Sequence, residues 1–273
     1  MYTQLQMPDQ NISLQELNLH NIRPTTESLK KPSSGAIYII IGKRGSGKSV
    51  LIKNLLYSKK HIIPVGVVVS GTEDTNGFYS SIFPDIFIHT EYKDEFILKL
   101  NKRQTIAKEH LSNPWSVIVL DDCMHNKKEF EKKHCVSLFK NGRHWDTCAI
   151  ISNQYSLDLK PELRTNCDGI FIFKETNNSN LKKIYENFAS VIPTFRIFCA
   201  LMEKYTADYS CMYISNQTQS ATWTDSVFYF KADENIPTFT FGCKDSLLFA
   251  SQRTQLRDDS VDVTEFIKQN YHV

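Results

Sequence analysis

Short unbroken apolar runs alternate along this chain with longer segments whose apolar residues recur every three or four positions. Residues 36–41 (AIYIII), 65–70 (VGVVVS) and 116–122 (SVIVLDD) are rich in β-branched side chains. Such runs predict strands buried on both faces, as in parallel sheets. Segments 86–90 (IFIHT), 148–152 (CAIIS) and 169–173 (GIFIF) read as three more strands. Between them, 47–57 predicts a helix. So do 92–111, with Phe96, Leu100, Ala107 and Leu111 on one side, and 129–140, with Phe130 and Leu138 as core contacts. This alternation predicts an α/β fold with about six mostly parallel strands flanked by helices. Residues 178–205 read as helical with a break at Pro193. The aromatic, alternating segments MYISN, SVFYF and TFTFG are expected to add a hairpin or edge strands. Three regions follow: a polar N-terminal arm (1–32), an α/β core (33–205) and a small β-rich C-terminal extension packed on it (206–273).

Composition narrows the classes. With 273 residues, 41% hydrophobic and 23% charged, the chain has the make-up of an ordinary globular protein. Its 32 Lys+Arg and 30 Asp+Glu leave a net charge of +2, which excludes a histone-like polycation and an acidic disordered tail. The longest apolar runs are strand-sized, so no direct membrane span is expected. The polar N-terminus lacks an apolar signal core, and secretion is not expected. Seven cysteines, odd in number and without a CxxC pair, suit free thiols in a reducing compartment.

The chemistry begins at Gly42-Lys43-Arg44-Gly45-Ser46-Gly47-Lys48-Ser49, a full GxxxxGK[ST] match. Chance would produce it in a chain of this length roughly 1% of the time. It also follows a buried strand and opens a helix, the context a phosphate-binding loop requires. The glycines let backbone N–H groups curl around phosphates, and the helix N-terminus adds a positive dipole end. Lys48 is the candidate for the β- and γ-phosphates of ATP, and Ser49 for a Mg²⁺ ligand. Arg44 either leans over the nucleotide or is solvated.

Four apolar residues, Val117–Leu120, deliver Asp121 and Asp122 to the C-terminal tip of a strand, where α/β ligands bind. Asp121 is the candidate Mg²⁺ ligand and Asp122 the candidate general base for the attacking water. One strand later, Gln154 is the candidate for contacting the γ-phosphate or that water, with Asn153 as the alternative. A loop amide making turn hydrogen bonds is the bland reading of both. Arg143 and Arg164 are both candidates for an arginine finger acting on a neighbouring subunit, set against surface or structural ion pairs.

Other signals are set aside. Cys123, His125, His134 and Cys135 match no common zinc spacing. Asn126-Lys127-Lys128-Glu129 superficially matches a guanine-reading motif, but directly after the metal strand it is misplaced, and no GTPase is expected. Lys127, Lys128, Lys132 and Lys133 form a basic cluster, read either as a solvated helix face or as a track for DNA phosphates.

Together, GKRGSGKS (42–49), VIVLDD (117–122) and NGRHWDTCAIISNQY (141–155) resemble the packaging ATPases of large nucleocytoplasmic DNA viruses. These form the poxvirus-, iridovirus- and asfarvirus-type branch of the FtsK–HerA pumping ATPases. The likeness covers about residues 35–175, and its third segment is the most specific. It implies a RecA-like (ASCE) P-loop fold and a homo-oligomeric ring that hydrolyses ATP between subunits. It also implies double-stranded DNA and capsid or portal-vertex proteins as partners, and a place at cytoplasmic viral assembly sites and in the virion. Cellular relatives usually carry Glu where Asp122 stands, one methylene longer. Two rival readings remain: a small-molecule kinase, for which only Arg103 in the 92–112 helix speaks, and a non-catalytic ATP-binding assembly factor.

Overall fold

The three β-branched runs form strands β2 (Ala36–Ile41), β3 (Val65–Ser70) and β5 (Ser116–Asp121) of one sheet in a computed structural model. The structure describes residues 12–31, 33–123, 128, 131–154 and 160–253. Six further strands join the sheet: β1 (Gln15–Glu16), β4 (Ile88–His89), β6 (Thr147–Asn153), β7 (Gly169–Phe173), β8 (Ser210–Ser215) and β9 (Val227–Lys231). Their order across the sheet is β1-β9-β8-β7-β2-β6-β5-β3-β4. From β7 to β4 every pairing is parallel; β8 runs antiparallel to both β7 and β9.

The helices are α1 (Lys48–Lys59), α2 (Glu73–Asn76), α3 (Asp94–His110), α4 (Lys133–Asn141), α5 (Pro161–Arg164), α6 (Asn178–Phe188), α7 (Phe195–Tyr205) and α8 (Lys244–Arg253). The strands' period of two sorts the core into two clusters. Ile37, Ile39, Ile118, Leu120, Ala149 and Ile151 share one with side chains of α3, α4, α6 and α7. Tyr38, Ile40, Val117, Val119 and Ile150 share the other with Leu51, Ile52, Leu55 and Leu56 of α1. The result is a sheet between helical layers, the P-loop NTPase architecture that the motifs imply.

Side chains terminate the helices where the chain needs to turn. Asn177 accepts from the N–H groups of Ser179 and Asn180, and Thr194 from that of Ile197, so the 178–205 segment divides into α6 and α7 around Pro193. Asp94, at the start of α3, accepts from the backbone of His134 (3.2 Å) and Cys135 (3.0 Å) and satisfies the orphan donors of α4.

Several expectations shift. The sheet has nine strands among the described residues, because β1 and the β8–β9 pair extend it. Residues 85–87 form a 3-10 turn after Pro84, which leaves β4 only two residues. The 238–242 segment forms no strand. Instead its Phe241 packs on Phe83, with ring centroids 5.1 Å apart, and its backbone N–H donates to Ile82. The helix read over 129–140 begins at Lys133, and residues 129 and 130 lie outside the described residues. In the stretch read as an arm, Leu14, Leu17, Leu19 and Ile22 are buried against the core. Buried Lys59 of α1 holds this segment by donating to the carbonyls of Leu19 and Ile22. All seven cysteines are free thiols. No helix among the described residues is long and apolar enough to cross a membrane.

Candidate nucleotide site

The loop of residues 42–49 joins β2 to α1, and its glycines answer to geometry. A Cβ on Gly42 would lie 2.5 Å from Ser46 Oγ and 2.8 Å from Phe173 Cβ, so only glycine fits the close approach to β7. Gly47, the N-cap of α1, has φ +100°, a conformation that side chains rarely adopt. Lys48 is 7% exposed. Its Nζ donates to the carbonyls of Gly42 (2.8 Å) and Lys43 (3.0 Å), folding the loop around its own ammonium. Burial pulls its pKa below the ordinary lysine value, against the opposing pull of Asp121 and Asp122.

Asp121 ends β5 and is buried. Its Oδ2 accepts from Ser49 Oγ at 3.1 Å and from the Tyr79 hydroxyl at 2.7 Å. Asp122 follows with φ +48°, a left-handed turn that aspartate tolerates better than most residues. Its Oδ2 accepts from Gln154 Nε2 at 2.7 Å. The structure thus brings together Lys48, Ser49, Asp121, Asp122 and Gln154 at the C-terminal ends of three adjacent strands. Asn153, the alternative to Gln154, is buried in β6, and its carbonyl accepts from Gly42 N–H at 3.2 Å.

The residues fit a nucleotide with a hard cation. Among the described residues, two buried hydroxyl oxygens have no hydrogen-bond partner, those of Ser46 in the loop and Ser152 in β6. Ser152 pairs with Asp121 across the β5–β6 ladder. Unpartnered buried hydroxyls are costly, and phosphate oxygens would relieve them. Ser49 Oγ and the Asp121 carboxylate are hard oxygen donors of the kind Mg²⁺ takes.

The remaining loop residues are outward-facing. Lys43 pairs with Glu175 at 2.7 Å and donates to Thr176 Oγ1 at 3.3 Å. Burial works against the Glu175 charge, but hydrogen bonds from Lys43 and neighbouring backbone hold its carboxyl below the usual range. Arg44 and Gly45 are exposed at the tip.

The two candidate arginines lie away from this cluster. Arg143 precedes β6 and pairs at 3.1 Å with Asp168, which precedes β7. That is the opposite end of the sheet from the loop, roughly 20 Å away along a six-residue strand. Asp168 is 1% exposed and also accepts from Ile37 N–H at 2.8 Å. Arg164 ends α5 with its guanidinium 5.6 Å from the Phe188 ring centroid. Within one chain neither arginine joins the loop.

Two participants carry no motif. Tyr79, 1% exposed, holds Asp121 from a turn after β3. Glu73 pins that turn by accepting from the N–H groups of Tyr79 (2.9 Å) and Ser80 (2.8 Å). Burial first, then the Asp121 charge and hydrogen bond, pushes the Tyr79 phenol far above its usual pKa, so it remains a donor. Only their position just after a buried strand could have flagged them.

No protein-family model matches the chain. Uncharacterized protein 075L of Invertebrate iridescent virus 6 is 49% identical over 247 residues, covering 89% of this chain and 95% of the relative. Uncharacterized protein 015R of Frog virus 3 is 41% identical over 248 residues, covering 90% and 77%. Among solved structures, B204, the DNA-packaging ATPase of Sulfolobus turreted icosahedral virus, superposes with a TM-score of 0.55 at 22% identity, covering 74% of this chain and 99% of B204. At that identity the likeness establishes the shared fold.

Proposed function

Because the chain belongs to one family with the iridovirus proteins 075L and 015R and shares the fold of a viral packaging ATPase, we propose that it is a DNA-packaging ATPase of large nucleocytoplasmic DNA viruses, an ATP-driven translocase moving double-stranded viral DNA into capsids. The observation that carries this reading is the 2.7 Å hydrogen bond between Gln154 and Asp122, beside the Ser49–Asp121 contact and the Lys48 loop. Hydrolysis needs a base beside the water and a group that senses the γ-phosphate. A simple nucleotide-locking site would need neither, and a kinase would need an acceptor pocket.

Lys48 binds the β- and γ-phosphates and exchanges its two loop carbonyls for phosphate oxygens. The backbone N–H groups of 42–49 cradle the chain. Ser49 and Asp121 would hold Mg²⁺, which would supply positive charge beside the phosphates. Asp122 takes the proton of the attacking water. Gln154 orients that carboxylate and, through its amide, registers whether the γ-phosphate is present.

The chain acts as a homo-oligomeric ring with ATP between subunits, and an arginine from the neighbour completes each site. Arg164 suits that part better than Arg143, whose guanidinium is committed to buried Asp168. Residues 33–205 form the motor core, flanked by the 1–32 and 206–273 regions. The ring works at cytoplasmic viral assembly sites against a capsid or portal-vertex partner.

The test is ATP turnover by purified protein with and without double-stranded DNA, beside Lys48→Ala. DNA-stimulated turnover that vanishes in the variant is the expected result. Turnover indifferent to DNA would remove the translocase reading.

A further inference from the structure

We propose that Tyr209 is the surface on which the base of the bound nucleotide stacks, and that a purine is its natural occupant. This rests on the nucleotide reading of the loop and adds to it the end of the ligand that the motifs leave unassigned.

The sheet order sets the direction of the ligand. Asp122 and Gln154 extend from β5 and β6, which lie on the same side of β2. The γ end of a triphosphate belongs with them. The chain of phosphates then follows the loop towards the start of α1, and the base leaves on the other side, over β7 and β8. The wall there is aromatic. A Cβ on Gly47 would lie 3.5 Å from Phe173 Cε1 and 3.7 Å from both Cβ and Cδ1 of Tyr209.

Tyr209 is unusual for reasons that local folding does not explain. It is 61% exposed, while Tyr79, the tyrosine on the other side of the site, is buried. It occupies a tight turn closed by Ser210 N–H donating to Ala207 O at 3.0 Å. Both central residues have positive φ, +52° at Asp208 and +58° at Tyr209. That pair is the signature of turns in which Gly, Asn and Asp predominate. Asp208 suits its place and is anchored by an ion pair with Lys231 of β9. Tyr209 has neither glycine's freedom nor a short side chain that bonds its own backbone. It holds a strained conformation and gains no burial from doing so.

A ligand supplies the missing gain. A flat ring held beside the first turn of α1, next to the phosphate cradle, offers a π-face to a base. Stacking of this kind takes up the area of the base and does not read its hydrogen-bonding edge, so it favours purines over pyrimidines. The turn fixes the backbone that carries the ring before binding, which lowers the ordering cost.

The experiment measures binding, apart from turnover. Full-length protein is titrated calorimetrically with ATP in its non-hydrolysable β,γ-imido form and with inorganic tripolyphosphate, each with Mg²⁺, for wild type, Tyr209→Ala, Tyr209→Phe and Lys48→Ala. Tyr209→Ala is expected to weaken ATP about tenfold and to change tripolyphosphate less than twofold. Tyr209→Phe keeps the ring and is expected to bind both as wild type does. A 2-aminopurine riboside triphosphate is expected to lose fluorescence on binding wild type and Tyr209→Phe, but not Tyr209→Ala. Equal effects of Tyr209→Ala on both ligands, or none on ATP, would overturn the stacking role while the loop reading stands. Wild type that binds neither ligand, or Lys48→Ala that binds both as wild type does, would overturn the nucleotide reading and this inference with it.

Discussion

The Tyr79 hydroxyl donates to the Asp121 carboxylate at 2.7 Å, from a turn that no motif marks to the strand tip that two motifs converge on. The acceptor is Oδ2, the same oxygen that receives the Ser49 hydroxyl. On the proposed reading, in which Ser49 would turn to a metal ion, Tyr79 would still hold the carboxylate in place. Groups that orient a ligand from behind typically change metal affinity 10- to 100-fold. Tyr79→Phe is therefore expected to raise the Mg²⁺ concentration needed for half-maximal turnover by roughly tenfold, with stability lower by about 1 kcal/mol. A Mg²⁺ titration with ATP saturating checks it; an unchanged midpoint would make the tyrosine a packing residue only.

The Asp122–Gln154 pair separates chemistry from binding. Asp122→Asn removes the proposed base and Gln154→Ala removes its hydrogen-bond partner. Each is expected to lower kcat by on the order of 100-fold, with ATP affinity within about threefold of wild type. Turnover and equilibrium binding measured on the same preparations check this. A large loss of affinity in Gln154→Ala would mean that the amide supports the loop instead.

The arginines divide by environment. Arg143→Ala leaves Asp168 buried beside Ile37 with one fewer cation, and Arg23 lies 3.9 Å away as a weaker substitute. The expected cost is about 2–3 kcal/mol in chemical unfolding, because an uncompensated buried carboxylate is expensive. Arg164→Ala is expected to leave the unfolding free energy within about 1 kcal/mol of wild type and to abolish most turnover. In mixtures with Gln154→Ala subunits, activity should return in part, because an interface whose ATP site comes from the Arg164→Ala chain and whose arginine comes from the Gln154→Ala chain is complete. Full activity in Arg164→Ala would return the finger role to Arg143 or to a residue outside both.

Lys59 gives a pH signature. Burial lowers its pKa from the ordinary 10.5 to about 8, with the charge of Cys148 opposing the shift. Between those values the unfolded chain binds more protons than the folded one, so this group makes stability rise with pH from about 8 to 10.5. Cys148, which burial raises from 9.0 to about 12, acts in the opposite direction at higher pH. Urea unfolding of wild type and Lys59→Met at pH 7.5 and pH 10 isolates the lysine. The stability of wild type relative to the variant should grow with pH, by on the order of 2–3 kcal/mol. A difference independent of pH would mean that Lys59 keeps an ordinary pKa in the fold.

The amino-acid sequence by itself determined the buried strands and the phosphate loop. The β-branched runs at 36–41 and 65–70 became strands with those bounds, the run at 116–122 became one that ends a residue sooner at Asp121, and the strand–loop–helix context of Gly42–Ser49 is local in the chain. Both are signals of neighbouring residues: unbroken apolar character, and glycines where the backbone must curl. Tertiary structure alone decided what meets across the sheet. Only the order β7-β2-β6-β5 brings Gln154 to Asp122 and Ser49 to Asp121, and only the turn after β3 brings Tyr79 to that carboxylate. It also carried Arg143 to the far end of the sheet, bound Leu14 to Ile22 against the core, and set Tyr209 beside Gly47. Those contacts join residues tens to hundreds of positions apart. Periodicity records which face of an element is buried, but it carries no record of which other element will cover it.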